Sequence, residues 1–131
     1  MRGLDTNILL RVLMNDDPVQ SPIAKRVMQE GNVFIPVSVL LETYWVLRSR
    51  DIPDAVILST FENLLEIPGV TMHEATSVRA ALSAHRAGLE FADALHLGLC
   101  GRCDEFLTFD DKRFARRAQK QNLMPTCVVP Q

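Results

Sequence analysis

Five short apolar runs alternate along the chain with longer segments in which apolar residues recur every three to four positions. The short runs predict strands and the longer period predicts amphipathic helices. The predicted strands are 1–4, 33–37, 70–73, 106–109 and 126–129, and the predicted helices are 6–14, 22–30, 39–48, 55–66, 76–86, 91–100 and 112–121. Strands that alternate with helices favour a parallel sheet covered on both faces. We therefore expect the α/β class, as a three-layer α/β/α sandwich with a central parallel sheet of four to five strands.

The size and charge of the chain narrow the functional classes. Its 131 residues, 47% of them hydrophobic, predict one domain spanning 1–131. A net charge of -2 excludes a uniformly basic nucleic-acid binder, although a local patch or a bound cation would still permit such contact. No secretory signal is visible, and no apolar run approaches the ~18 residues of a membrane span. We expect a cytoplasmic protein without membrane contact.

Four carboxylates stand near the place where such a sheet would bind a ligand. Asp5 ends the first predicted strand, Asp110 ends the fourth, and Glu42 follows the second by about one helical turn. Ligands of open parallel sheets bind at the carboxyl ends of the strands, so these three should share one edge. Asp93 follows a helix instead. Clustered carboxylates repel each other, and Mg²⁺ or Mn²⁺ would relieve that repulsion. Asp5, Glu42, Asp93 and Asp110 are therefore the predicted metal ligands of a hydrolase.

Each of the three aspartates also has a plainer interpretation. Asp5, Asp93 and Asp110 could each be a helix N-cap, and Asp111 is a further cap candidate. Polar neighbours could orient carboxylates or bind water around a metal, although Thr and Asn are also common in caps and turns. These supporting candidates are Thr6, Asn7 and Thr108.

Glu42 is harder to explain as a capping residue. Ser38 is predicted to cap this helix, and a capping box would then need its acid at position 41. The helical neighbours of Glu42 are Val39, Trp45 and Val46, so the carboxylate should face an apolar stripe. A carboxylate there is costly unless it is paired or bound to a metal. A buried ion pair with an arginine remains the alternative.

The last predicted helix is strongly basic and begins directly after Asp110. It holds five of the fourteen Lys and Arg residues. Four of them share one face at three-to-four spacing and are candidates for holding RNA phosphates, namely Arg113, Arg116, Arg117 and Lys120. A solvated helix face is the alternative.

The cysteines and histidines give weaker signals. Cys100 and Cys103 match a C-x-x-C spacing, but a structural zinc would need two more ligands, and a redox pair is no more favoured than zinc. Small buried thiols are the favoured interpretation of these two and of Cys127. His96 lies one turn beyond Asp93 and is either a core residue or a partner of that acid.

Four segments together resemble the motifs of the PIN-domain family, and within it the VapC-type toxins of bacterial toxin–antitoxin pairs. They are GLDTNIL at 3–9, VSVLLE at 37–42, FADALH at 91–96 and FLTFDDKRF at 106–114. The segments cover essentially the whole chain, in order and at the family's spacing. One departure concerns the fourth acid, because the spacing to Thr108 favours Asp110 whereas the spacing to Phe114 favours Asp111. We favour Asp110, with Asp111 as a partner.

This resemblance implies a Mg²⁺- or Mn²⁺-dependent endoribonuclease that cuts structured RNA such as transfer or ribosomal RNA. It also implies a homodimer neutralised by a cognate antitoxin protein. Two alternatives remain open: a non-catalytic protein-interaction module, and a small-molecule phosphatase of the haloacid-dehalogenase type. The phosphatase is less favoured because it would need a second Asp two residues after the first, where this chain has Asn7.

Overall fold

The fold is described from a computed structural model that covers residues 1–131. The residues group into two compact units, Met1–Ala75 and Thr76–Gln131. Every pair of hydrogen-bonded strands lies within one of these units, and every pair is parallel. No helix has the length and apolar character needed to cross a membrane.

The first unit contains a three-stranded parallel sheet in the order β1-β2-β3. Gly3 pairs with Phe34, and Ile35 pairs with Met72. The middle strand is the most buried, because Val33 and Ile35 are fully inaccessible to solvent. The elements are β1 Arg2–Gly3, α1 Thr6–Met14, α2 Gln20–Glu30, β2 Val33–Ile35, α3 Val37–Ser49, α4 Asp54–Glu66 and β3 Val70–Met72.

The start of α3 differs from the sequence prediction. The helix begins at Val37 after Pro36, so Ser38 lies inside its first turn and the prediction that Ser38 caps it is wrong. The backbone N–H of Val37 instead donates to Nδ1 of His73, at 3.3 Å. A side chain that follows β3 therefore satisfies a donor that the helix leaves open. Sequence spacing gave no sign of this long-range cap.

The second unit combines helices with a pair of parallel strands, in which Phe106 pairs with Cys127. Its elements are α5 Ala75–Arg86, α6 Phe91–Leu99, β4 Glu105–Leu107, a π-helical turn Asp111–Ala115, α7 Arg116–Lys120 and β5 Thr126–Val128. The predicted basic helix therefore exists, but its first turn is π-helical. Such turns are frequent at functional sites.

The parallel α/β class predicted from the sequence is confirmed. Five strands are present, which agrees with the expected number, and they are hydrogen-bonded as one set of three and one set of two. Every predicted helix and strand has a counterpart in the structure, and no end differs from its predicted position by more than two residues.

Candidate metal centre

Asp5 and Glu42 lie in the first unit, on the segments that leave β1 and β2. Asp5 is the N-cap of α1, and its Oδ1 accepts a hydrogen bond from the backbone N–H of Thr6 at 2.8 Å. Glu42 lies in the second turn of α3. Because β1 and β2 are adjacent and parallel, both chain segments leave the same edge of this sheet. The interpretation of Asp5 as an N-cap is correct, and because Oδ1 makes the capping hydrogen bond, Oδ2 of Asp5 remains available.

The predicted environment of Glu42 is wrong. Glu42 is exposed, Trp45 is 56% exposed, and Val39 and Val46 are only half-buried. The buried face of α3 is the other one, which contains Leu40, Thr43, Tyr44 and Leu47. Glu42 therefore needs no partner to offset burial, and no arginine is paired with it. An exposed carboxylate on a helix remains available to a cation.

Asp93 and Asp110 lie in the second unit and interact with each other. Asp93 is in the first turn of α6 but does not cap it, so its N-cap interpretation is wrong. Its side chain is half-buried. Burial raises the pKa of Asp93 above its usual value, and the negative charge of Asp110 raises that pKa further. These two acids are the part of the predicted cluster whose mutual electrostatic effect is visible in the structure.

Asp110 and its neighbour Asp111 have different surroundings. The backbone N–H of Asp110 donates to Oγ1 of Thr108 at 3.1 Å, and Oδ1 of Asp110 accepts from the N–H of Arg113 at 2.9 Å. Asp111 instead forms an ion pair with Arg116, in which Nη2 of Arg116 lies 2.7 Å from Oδ2 of Asp111. Thr108 therefore positions the segment that carries Asp110, while the charge of Asp111 is already compensated. This difference favours Asp110 as the fourth acid.

Arginines pair with some carboxylates of the chain but with none of the four predicted ligands. Glu30, Asp16, Asp54 and Asp111 each pair with an arginine. The predicted ligands Asp5, Glu42, Asp93 and Asp110 form no such pair. Carboxylates without a cationic partner are the donors that a hard divalent cation prefers. The donor set therefore fits Mg²⁺ or Mn²⁺ in its chemistry.

Each unit contributes two of these four acids. Accordingly, neither unit by itself contains a group of three or more His, Cys, Asp or Glu residues that could hold a metal ion. The assignment of all four as metal ligands stays a prediction.

The predicted supporting residues of the first unit occupy different surroundings. Thr6 is buried and gives its backbone N–H to Asp5, so it orients that carboxylate through the main chain. Asn7 is exposed and lines a cavity of about 210 Å³ between α1 and α2, together with Arg11 and Gln20.

The basic residues of the second unit also differ in their contacts. Arg116 is paired with Asp111, whereas Arg117 donates from Nη1 to the carbonyl oxygen of Gly88 at 3.0 Å. Arg117 and Lys120 line one cavity of about 510 Å³ with Gly88. The positive charge of Arg117 also lowers the pKa of Asp93. Arg117 and Lys120 therefore form a basic surface near the acidic pair.

Two further residues affect Asp93. His96 is exposed, so its interpretation as a core residue is wrong, and it lowers the pKa of Asp93. Glu90, which is not among the residues predicted from the sequence, raises the pKa of Asp93. Glu90 precedes Asp93 by three residues, a spacing that places two residues on one side of a helical turn. This spacing is the sequence signal that could have identified Glu90 as a neighbour of Asp93.

Comparison with known proteins supplies the family. The family model described as the PIN domain matches residues 4–120. Comparisons with curated proteins and with solved structures give no significant match. PIN domains are typically metal-dependent nucleases, which supports a hydrolase at the level of the family. The match covers most of the chain and agrees with the parallel α/β strands, so the chain belongs to the PIN domain family.

Proposed function

We propose that the protein is a Mg²⁺- or Mn²⁺-dependent endoribonuclease. The observation that supports this most directly concerns the half-buried Asp93. Burial raises the pKa of Asp93, the charge of Asp110 raises that pKa further, and no arginine is paired with either acid. Membership of the PIN domain family adds a nuclease fold to this chemistry. Asp5, Glu42, Asp93 and Asp110 would hold the cation.

The chemistry divides between the cation and the chain. A bound divalent cation would neutralise phosphate charge and lower the pKa of a water molecule for attack on phosphorus. Asp110 would keep its orientation through the hydrogen bonds of Thr108 and Arg113, which leave one carboxylate oxygen for the cation. Arg117 and Lys120 would hold RNA phosphates through charge alone, without reading sequence.

We further propose the role of toxin in a type II toxin–antitoxin pair, with the protein acting as a cytoplasmic homodimer. The support is the order and spacing of the four VapC-like segments, 3–9, 37–42, 91–96 and 106–114. Structured RNA, such as transfer or ribosomal RNA, would be the substrate, and a cognate antitoxin protein would neutralise the activity.

A non-catalytic interaction module is the second candidate. Large apolar side chains remain exposed, notably Trp45 at 56% and Phe109 at 85%. Exposed apolar surface is typical of protein contact sites. Under this hypothesis the carboxylates would contact a partner protein and would bind no cation.

The test compares Glu42→Gln with Glu105→Gln, which changes another exposed glutamate outside the predicted site. We expect Glu42→Gln to lower Mn²⁺-dependent cleavage of a structured RNA by about 100-fold or more, because removal of residues that merely orient ligands already costs 10–100-fold. Glu105→Gln should cleave as the wild type does. Cleavage is followed on gels, Mn²⁺ binding by calorimetry, and folding by thermal denaturation.

Three outcomes separate the hypotheses. Full cleavage by a folded Glu42→Gln variant would remove Glu42 from the mechanism. Wild-type protein that binds no Mn²⁺ and leaves RNA intact would favour the interaction module. Growth arrest on expression that persists in the folded Glu42→Gln variant would contradict toxicity through this nuclease.

A further inference from the structure

We propose that Cys100 and Cys103 form a reversible intramolecular disulfide, which makes the end of α6 a site of thiol oxidation. This site is separate from the predicted metal ligands and does not depend on the proposed nuclease activity. The sequence alone favoured small buried thiols, and that prediction is wrong for Cys103, which is exposed, and for Cys100, which is half-buried. Only Cys127 is buried.

The backbone already brings the two cysteines together. Cys100 ends α6 as its C-cap, and the N–H of Cys103 donates to the carbonyl oxygen of Cys100 at 2.9 Å. This hydrogen bond closes a tight turn over Gly101 and Arg102. A turn of this kind keeps the outer Cα atoms less than about 7 Å apart, and a disulfide needs about 4.4–6.8 Å.

The end of α6 is held in place by its contact with α5. A Cβ atom on Gly98 would lie 3.0 Å from the carbonyl oxygen of Ser77, so the last turn of α6 packs directly against α5. Cys100 therefore follows a backbone that has little room to shift. Cys103 lies in the exposed segment after the helix, where small adjustments meet no core residue. Formation of the disulfide requires movement only in this terminal turn.

The two thiols have different roles in the reaction. Cys103 is the one that a reagent in solution reaches first, because it is exposed. Burial raises the pKa of Cys100, and the thiol of Cys103 raises it further, so Cys100 is the poorer first nucleophile. Cys100 instead lies next to Cys103 and is placed to attack once Cys103 has reacted.

A low-molecular-weight disulfide such as oxidised glutathione supplies the oxidising equivalents. The Cys103 thiol loses its proton, and its sulfur attacks one sulfur of oxidised glutathione. A Cys103–glutathione S–S bond forms, the glutathione S–S bond breaks, and the departing thiolate takes up the proton to become a thiol. The Cys100 sulfur then loses its proton and attacks Cys103 in the mixed disulfide, releasing the second glutathione thiol. Two protein thiols are oxidised, and one glutathione disulfide is reduced to two thiols.

The experiment treats the reduced full chain with oxidised glutathione and counts alkylatable thiols after denaturation. The reduced wild type has three free thiols, and we expect one to remain after oxidation. Trypsin cleaves after Arg102, between the two cysteines, so the peptides 87–102 and 103–112 should stay linked until a reductant separates them. Cys100→Ser should stop at a glutathione adduct on Cys103.

Matched variants make the outcome decisive. Cys127→Ser should still form the linked peptides, and Cys103→Ser should form none, with thermal denaturation showing that each variant is folded. The proposal is overturned if the wild type keeps three thiols, if it stops at the glutathione adduct, or if it forms only disulfides between chains. It is also overturned if the Cys127→Ser variant no longer forms the link. Loss of RNA cleavage in any variant would bear on the proposed function and not on this site.

Discussion

Asp110 combines two functions that substitution can separate, namely a helix cap and a negative charge. Its Oδ1 accepts from the N–H of Arg113 at 2.9 Å. Asparagine keeps an acceptor at this position and alanine does not, so only Asp110→Ala should lose the cap. A lost cap costs about 1 kcal/mol. For a chain of 131 residues, the unfolding entropy is about 0.28 kcal/mol/K, so the expected fall in Tm is about 4 °C.

Asp110→Asn should change Tm by less than about 2 °C, because two small effects oppose each other. Removing the charge relieves repulsion with Asp93 but also removes an anion from the positive end of a helix, an effect of about 0.3–1 kcal/mol. Both Asp110 variants should nevertheless lose Mn²⁺ binding. Calorimetry measures the metal and thermal denaturation measures the stability of the same samples.

Asp111→Asn is the matched control for this experiment. It removes the exposed pair with Arg116, which is worth at most about 1 kcal/mol, and it should leave Mn²⁺ binding intact. The reasoning fails if Asp110→Asn binds Mn²⁺ as the wild type does, or if Asp111→Asn is the variant that loses it. Equal destabilisation by Asp110→Asn and Asp110→Ala would show that the charge, and not the acceptor, stabilises the turn.

Three further outcomes are expected. Burial and Asp110 hold the pKa of Asp93 above its usual value, so at a pH just above that usual value the native state binds more protons than the unfolded state. Stability therefore falls as pH rises through this window. Asp93→Asn should raise Tm near pH ~7 more than near pH ~3, and an equal gain at both pH values would refute this. His73→Ala should lower Tm by about 4 °C, since Val37 loses its acceptor, and no change would show that water replaces it. Mn²⁺ at about 100 times its Kd should stabilise the wild type by about 2.7 kcal/mol in chemical denaturation, and Glu42→Gln not at all.

The elements of the fold could be predicted because short apolar runs alternate with segments whose apolar residues recur every three to four positions. The predicted helix 6–14 is reproduced residue for residue, since Asp5 caps it at one end and Asn15 ends it in the left-handed conformation at the other. Parallel pairing followed from the alternation of strands and helices. The π-helical turn after Asp110 could not be predicted, because the same residues also fit an ordinary helix.

The surroundings of individual side chains were harder to predict than the elements. Periodicity shows which residues share a helix face, but it does not show which face another element covers. Both faces of α3 carry apolar residues. The face with Trp45 was predicted to be buried, whereas Leu40 and Leu47 on the other face are the buried residues. The same limit applied to Cys103, whose residue type favours burial but whose turn lies at the surface.

Asp93 and Asp110 together are the strongest argument for a cation, because the charge of Asp110 raises the pKa of the half-buried Asp93 and no arginine pairs with either acid. Asp16 pairs with both Arg11 and Arg50, and Asp111 pairs with Arg116, so arginines do offset the charge of some carboxylates in this chain. Asp93 and Asp110 repel each other and have no such partner, although Arg117 is close enough to lower the pKa of Asp93. A fold that needed only stability would gain by neutralising one of them. The uncompensated charge has a physical reason if a divalent cation is the partner that offsets it.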